Sequence, residues 1–244
     1  MTEPLLEINE LKVNYQVFGG DLKVLNGLNL EIYPGEKIGL VGETGCGKTT
    51  TMKSILGILH PAARIKGGEI LYRGRDLLKL KEKEMNDLRR QHMSAIFQNP
   101  TAALNPVFTI GQQLEDAIRY SFSREERLPK KEIKARAVEV LNDVALPDPE
   151  RLLKNYPVQL SGGMKQRICI ALALVTASDL LVADEPGTNL DVTIQDQILR
   201  LLINLVEERK TATIYITHTL GVVRQFMDRV FVMYAGNTVE VAPT

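Results

Sequence analysis

Leu28, Leu30 and Ile32 are apolar at every second position, the spacing of a strand with one buried face. Ile38 to Val41 is a continuous apolar run ahead of a glycine-rich loop, which predicts a short strand buried on both faces. Thr49 to Leu59 predicts a helix that stops before Pro61. Gly67 to Gly74 predicts a strand bounded by turns, and Ser94 to Phe97 a buried strand that ends at Gln98. From about Pro100 to Ala177 the period lengthens. Ile110 to Tyr120 and Lys131 to Leu146 predict amphipathic helices, the second with Ile133, Ala137, Val140, Leu141 and Val144 at helical spacing. Pro147, Pro149 and Pro157 interrupt that pattern. Strands resume at Leu180 to Ala183 and Thr213 to Thr217, with a helix over Val192 to Arg209 between them. Val230 to Tyr234 and Val239 to Val241 predict short closing strands. The order implies an α/β fold, residues 1–244 forming one domain. Residues 1–99 and 178–244 form its core, and 100–177 an inserted helical subdomain.

Composition narrows the function. With 244 residues and 44% apolar content, the chain can bury a large core. Thirty basic residues balance thirty acidic ones, which argues against a nucleic-acid partner. Cys46 and Cys169 make neither a disulfide framework nor a metal site, so a reducing compartment is expected. Met1 to Asn9 lacks the basic start of a signal peptide. The longest apolar run, Ile168 to Val175, is far short of the ~20 residues of a membrane span. Any work at a membrane therefore requires a partner.

Two segments carry phosphate chemistry. Gly42-Glu43-Thr44-Gly45-Cys46-Gly47-Lys48-Thr49 fits G-x-x-x-x-G-K-[ST] between a predicted strand and a predicted helix. Its backbone N–H groups can wrap a β-phosphate, Lys48 can neutralise β/γ charge, and the Thr49 hydroxyl can ligate Mg²⁺. Ser161-Gly162-Gly163 opens an apolar helical run. There Ser161 can cap the helix, and the glycines let an anion approach the positive dipole end. Leu180 to Ala183 runs into Asp184 and Glu185, and adjacent strand residues point to opposite sides. Asp184 then suits the Mg²⁺ side and Glu185 the attacking water. Gln98 at a strand end could touch both metal and water, and His218 at another could reach a γ-phosphate. Taken singly, each has a plainer reading as a loop amide, a polar strand terminus or a structural histidine.

Together these residues resemble the ATP-binding cassette (ABC) ATPases over nearly the whole chain. The match comprises the P-loop at 42–49, Gln98, the signature at 160–167, the strand and acids at 180–185, Asp191 and His218, all in the family's order. The resemblance implies a P-loop NTPase core with an antiparallel β subdomain and an inserted helical subdomain. It implies ATP and Mg²⁺ as ligands, and head-to-tail pairing with a second cassette, identical or paralogous. Residues Gly42 to Thr50 of one chain would hold ATP against Ser161, Gly162, Gly163 and Gln166 of the other. Glu185 would activate water, with Gln98, Lys48 and His218 around the γ-phosphate, and Asp191 would contact the partner chain. Thr49, Gln98 and Asp184 would hold the metal. An aromatic upstream of the P-loop usually stacks on adenine in this family, and Tyr15 is expected to do so. Phe18 is the alternative, because Phe18-Gly19-Gly20 looks like the start of an extra loop.

A narrower resemblance, from Phe97 to Gly111, is to the dipeptide, oligopeptide and nickel importer ATPases, some of whose relatives carry oligosaccharides. It implies two transmembrane permease subunits, an external solute-binding protein, and a place at the cytoplasmic face of the membrane. The alternative is a soluble ABC ATPase acting on nucleic acid or the ribosome. Against it stand the single cassette, the absence of long heptad runs, and the short interval from Gln98 to Ser161. Three positions depart from the importer pattern. The chain stops at Thr244 where that group usually continues, which reads as a truncated or short member. Thr219 follows His218 where Asp is usual, and Gly187-Thr188-Asn189-Leu190 replaces the usual loop before Asp191.

Overall fold

A computed structural model describes residues 3–122, 128–176, 178–188 and 190–244. Met1 and two positions named above, Ala177 and Asn189, lie outside the described residues. In chain order the strands are β1 (Leu6–Val17), β2 (Gly20–Ile32), β3 (Lys37–Gly42), β4 (Ala63–Tyr72), β5 (Arg75–Asp76), β6 (Met93–Ile96), β7 (Leu180–Asp184), β8 (Ala212–Thr217), β9 (Arg229–Tyr234) and β10 (Asn237–Pro243). The helices are α1 (Lys48–Ile55), α2 (Glu82–Gln91), α3 (Pro100–Ala103), α4 (Ile110–Ser121), α5 (Lys130–Asp143), α6 (Pro149–Leu152), α7 (Gly162–Leu174), α8 (Val192–Arg209) and α9 (Leu220–Phe226). The chain divides into two compact units, one formed by Met1–Arg89 with Lys210–Thr244, the other by Arg90–Arg209.

The first unit holds an antiparallel sheet in the order β2-β1-β4-β5. It also holds parallel strands, with β3 flanked by β8 and β9, and β10 closing antiparallel on β9. Ile38, Leu40, Ile214 and Ile216 are fully buried, as the continuous apolar runs predict for strands covered on both faces. Residues 18–20 do not open an extra loop. Val17 pairs with Gly20 across a tight turn, and β1 and β2 continue as one long hairpin to its tip. Gly19 at φ 95° supplies the positive φ that such a turn needs. Helix α1 is shorter than its apolar pattern suggested. Leu56 ends it, Gly57 adopts φ 63°, and the Ile58 N–H donates back to Lys53 O at 2.9 Å.

The second unit joins the parallel pair β6–β7 to helices α3 to α8. Leu114, Ile118, Ala137 and Leu141 are fully buried on α4 and α5. Helix α7 has little amphipathic character, and Ile168, Cys169, Ile170, Ala171, Ala173 and Leu174 are all buried. Burial pushes the Cys169 thiol up to about 12, so it acts as a small apolar side chain. Helix α5 ends at Asp143, before the expected Leu146, because Ala145 takes φ 53° and turns the chain. Among the described residues, no helix is long and apolar enough to cross a membrane.

Candidate functional site

The P-loop leaves the C-terminal end of β3 and enters α1 through Gly47 at φ 111°. A Cβ on Gly42 would lie 2.4 Å from Met233 O, and one on Gly47 would lie 2.6 Å from Leu25 Cδ2. Both positions therefore require glycine on packing grounds as well as for their dihedrals. Glu43, Thr44 and Gly45 form an exposed rim. Neighbouring strands hold the base of the loop, since Gly236 N–H donates to Cys46 O and Asn26 N–H donates to Gly236 O.

Lys48 is buried, and its Nζ donates to Gly42 O at 2.7 Å and to Glu43 O at 2.8 Å. Two loop carbonyl dipoles thus hold this nearly buried cation. No side chain caps the N-terminus of α1, and its first turn contains no acid. A phosphate group fits this arrangement, because the loop offers backbone donors, a positive dipole end and an amine held only by exchangeable loop carbonyls in the hydrogen bonds above. Thr49 is exposed and Thr50 half-buried at the same helix end.

Tyr15 and Phe18 differ in setting. Tyr15 is half-buried on β1 with Leu22 and Ala63 as its cross-strand partners. Phe18 sits at the hairpin tip with its side chain wholly in solvent. Tyr15 thus has a supported face, and Phe18 has none. His218 follows β8 and is exposed. The next residue, Thr219, donates its N–H to Thr217 Oγ1 at 3.0 Å, so the hydroxyl of the strand's last residue turns the chain there.

In the second unit, β7 delivers two carboxylates differently from the simple alternation of a strand. Asp184 is the last strand residue and is buried. Glu185 lies beyond the strand at φ 45°, a left-handed conformation that is costly outside glycine and tends to occur at functional sites. The turn, not the pleat, aims its side chain. Glu185 Oε2 accepts from Gln98 Nε2 at 3.1 Å and from Thr188 Oγ1 at 2.9 Å. The structure therefore brings Gln98 and Glu185 together across the ends of β6 and β7. Thr188, noted in the sequence only as part of an unusual loop, thus joins the site, and a hydroxyl three residues past an acid in a Pro-Gly turn is the signal for it.

Ser161 caps α7, its Oγ accepting from Met164 N–H at 3.3 Å. Ser161 and Gly162 are exposed. A Cβ on Gly162 would lie 3.1 Å from Leu190 Cδ2, and one on Gly163 would lie 3.0 Å from Ile194 Cγ2. These glycines also let the segment around Asp191 pack against the start of α7. Asp191 itself is exposed, and its carbonyl accepts from Gln195 N–H at 2.8 Å. Gln166 departs from expectation. Its side chain is 1% exposed, and its Nε2 has no hydrogen-bond partner, so it points into the unit and away from the surface that Ser161 offers. With period 3.6, a residue five positions after the cap turns to the opposite side of the helix.

A family profile described as ABC transporter matches residues 25–188, the stretch from the second strand through both acids. The chain belongs to the ABC transporter family. Among its curated ABC relatives is the dipeptide transport ATP-binding protein DppD of Bacillus subtilis. It is 45% identical over 240 residues, which is 98% of this chain and 70% of that protein. The oligopeptide transport ATP-binding protein OppD of Salmonella typhimurium is 44% identical over 236 residues, 97% of this chain and 69% of its own length. Among solved ABC structures, the dimeric cassette MJ0796 bound to ADP and Pi superposes with a TM-score of 0.86 at 26% identity, covering 98% of each chain. CbiO1 of Clostridium perfringens, part of an ABC transporter complex, gives 0.81 at 28% identity, covering 99% of this chain and 89% of its own. The ABC cassette fold, with its antiparallel β sheet and helical region, is the fold of this chain.

Proposed function

We propose that this chain is the ATP-binding and ATP-hydrolysing subunit of an ABC importer for peptides or related solutes such as nickel or oligosaccharides. It acts as one nucleotide-binding domain, core 1–99 and 178–244 with helical insert 100–177, at the cytoplasmic face of a membrane. Its partners are a second cassette, identical or paralogous, two transmembrane permeases and, indirectly, an external solute-binding protein. The peptide assignment rests on relatives named for dipeptide and oligopeptide transport.

The observation that carries the hydrolytic role is Glu185, turned off the end of β7 and held by Gln98 and Thr188. In the proposed reaction, Glu185 orients a water and accepts its proton as the water oxygen bonds the γ-phosphorus. The bond from that phosphorus to the bridging oxygen breaks, giving ADP and phosphate. Lys48 exchanges its loop carbonyls for β- and γ-phosphate oxygens, and His218 donates to the γ-phosphate. Tyr15 supports the adenine. Ser161, Gly162 and Gly163 of the opposed chain close over the γ-phosphate in a head-to-tail dimer, with Asp191 at the contact. Thr49, Asp184 and Gln98 would hold Mg²⁺, which when bound would supply neutralisation of phosphate charge. Gln166 serves the signature from inside, by its place in the core of α7.

Glu185→Gln keeps the shape and both hydrogen-bond neighbours but removes the base. Titration with MgATP should give parent-like affinity, and phosphate release should fall at least ~100-fold. Turnover at the parent rate would reject Glu185 as the catalytic group.

A further inference from the structure

Strands β1, β2 and β4 of the first unit present two chemically different faces, and the nucleotide chemistry proposed above uses only one. The register fixes which side chains share a face. Asn14 lies between Lys23 on β2 and Arg64 on β4, so these three point the same way. Tyr15, the next residue, lies between Leu22 and Ala63 and points the other way. Val13 shares the Tyr15 side, is fully buried, and pairs with Leu25, whose Cδ2 would lie 2.6 Å from a Cβ on Gly47 of the P-loop. The Tyr15 side is therefore inner and the Asn14 side outer.

The outer face is cationic near the hairpin tip. Lys12 is exposed two residues before Asn14. Lys66 sits at the register irregularity of β4, and its ion pair with Asp21 at 3.0 Å brings it to the same face, since Asp21 also accepts from Asn14 Nδ2 at 3.4 Å. The Lys66 bond chiefly, with help from the Arg64 charge, holds the Asp21 carboxyl below its usual range. Lys12, Lys23, Arg64 and Lys66 thus face one carboxylate, and Lys12 and Lys23 pair with none among the described residues. Beyond Lys12, Glu10 and Glu69 are engaged by Asn29 at 2.7 Å and Asn9 at 3.1 Å. Acids and bases balance over the whole chain, so this excess is local.

An aromatic stands at the rim of that face. The turn from Val17 to Gly20 needs the positive φ of Gly19, but it does not need an aromatic beside it. Phe18 is nonetheless wholly exposed there. The tip is roughly 35 Å along a 12-residue strand from Leu6, where β1 begins, and it is equally far from Glu31, which Arg229 joins to the end of β10.

We propose that the cationic outer face and Phe18 adsorb together onto an anionic lipid surface. The lysines and Arg64 meet lipid phosphates and carboxylates, and Phe18 enters the boundary between headgroups and acyl chains. An acidic polypeptide would satisfy the cations but leave Phe18 in water, so the bilayer is the occupant that uses both. The inner face with Tyr15 stays clear of the lipid. The proposal refines the membrane location given under Proposed function and rests on no nucleotide step. Its test contains neither ATP nor permease, so its failure would leave the ATPase reading standing.

The full chain is floated with phosphatidylcholine vesicles containing about one third phosphatidylserine, in salt that sets the screening length at about 10 Å. Binding is expected there and not to pure phosphatidylcholine. Lys12→Gln with Lys23→Gln should weaken it roughly 20-fold, about fivefold per cation, with an unchanged thermal midpoint. A midpoint lower by several degrees together with lost binding would assign these lysines to holding the sheet and overturn the proposal. The chain has no tryptophan, so Phe18→Trp gives a single reporter. Its emission should shift to the blue on anionic vesicles and be quenched by brominated acyl chains, and an unmoved spectrum would overturn the insertion of the tip. Equal binding to both vesicle types would remove the cations from the site. Polyglutamate that binds the chain as tightly as the anionic vesicles do, with Phe18→Ser making no difference to either, would make the face a polypeptide site and reject the lipid.

Discussion

Arg229 fastens three segments of the first unit at once. Its guanidinium pairs with Glu36 at 2.6 Å and Glu31 at 3.1 Å, donates to Glu31 O at 3.1 Å, and lies over the rings of Tyr33 and Phe231. The Glu36 bond chiefly holds the Arg229 pKa above its usual range, so the residue stays charged at every working pH. The Glu36 side chain is only 13% exposed, and removing its partner leaves a largely dehydrated carboxylate. Arg229→Met preserves much of the stem's packing and deletes the charge. It should cost about 2 kcal/mol, read as a lower urea midpoint with unchanged slope. Restoring most of that loss with Glu36→Gln in the same chain would show that the cost lies in the stranded acid, and a failure to restore it would place the cost in the ring contacts.

Helix α7 combines a buried apolar body with an exposed, capped start. Its interior is apolar nearly all round, which packing alone demands. It begins at a serine cap followed by two glycines, which also admit the Leu190 and Ile194 side chains. Ser161→Ala removes the acceptor for Met164 N–H and should cost about 1 kcal/mol of stability. Chemical denaturation of the nucleotide-free chain would measure it, and a loss below a few tenths would show that the cap does little in the isolated chain. The signature start was legible because cap, glycines and apolar run coincide in sequence. The buried strands were legible for the same reason, since Ile38–Val41 and Leu180–Ala183 match β3 and β7 to within two residues. Helix α2 was not. Only Met85 and Leu88 are buried in its ten residues, too little apolar signal to register as a period. The short helix α9 has Val223 as its sole buried residue and was missed likewise. The local geometry of Glu185 is not legible in the sequence, because alternation along a strand carries no information about a left-handed turn just beyond it. The burial of Gln166 is likewise a matter of helix phase, which proximity to the motif does not reveal.

At the scale of the whole molecule, the two ends proposed to bind phosphate belong to different compact units, Lys48 to the first and Ser161 to the second. Each end presents a helix N-terminus with free backbone donors, and the function proposed above uses both on one nucleotide held between two chains. A head-to-tail dimer makes a specific demand, that damage at Ser161 leave monomer binding intact while abolishing association. Glu185→Gln provides the background for the test, because it should retain ATP and so accumulate the closed dimer. Sedimentation of that variant with MgATP should show a dimer, and without nucleotide a monomer. Adding Ser161→Arg places a bulky side chain at the exposed helix start. The double variant should bind MgATP to the monomer with affinity within about threefold of Glu185→Gln, yet sediment as a monomer at the same concentration. Nucleotide-driven dimerisation that survives Ser161→Arg would remove the signature from the shared site, and with it the means by which ATP closes two subunits. Loss of ATP binding together with dimerisation would instead put Ser161 in the monomer's own nucleotide site. The head-to-tail reading requires binding and association to separate at this one residue.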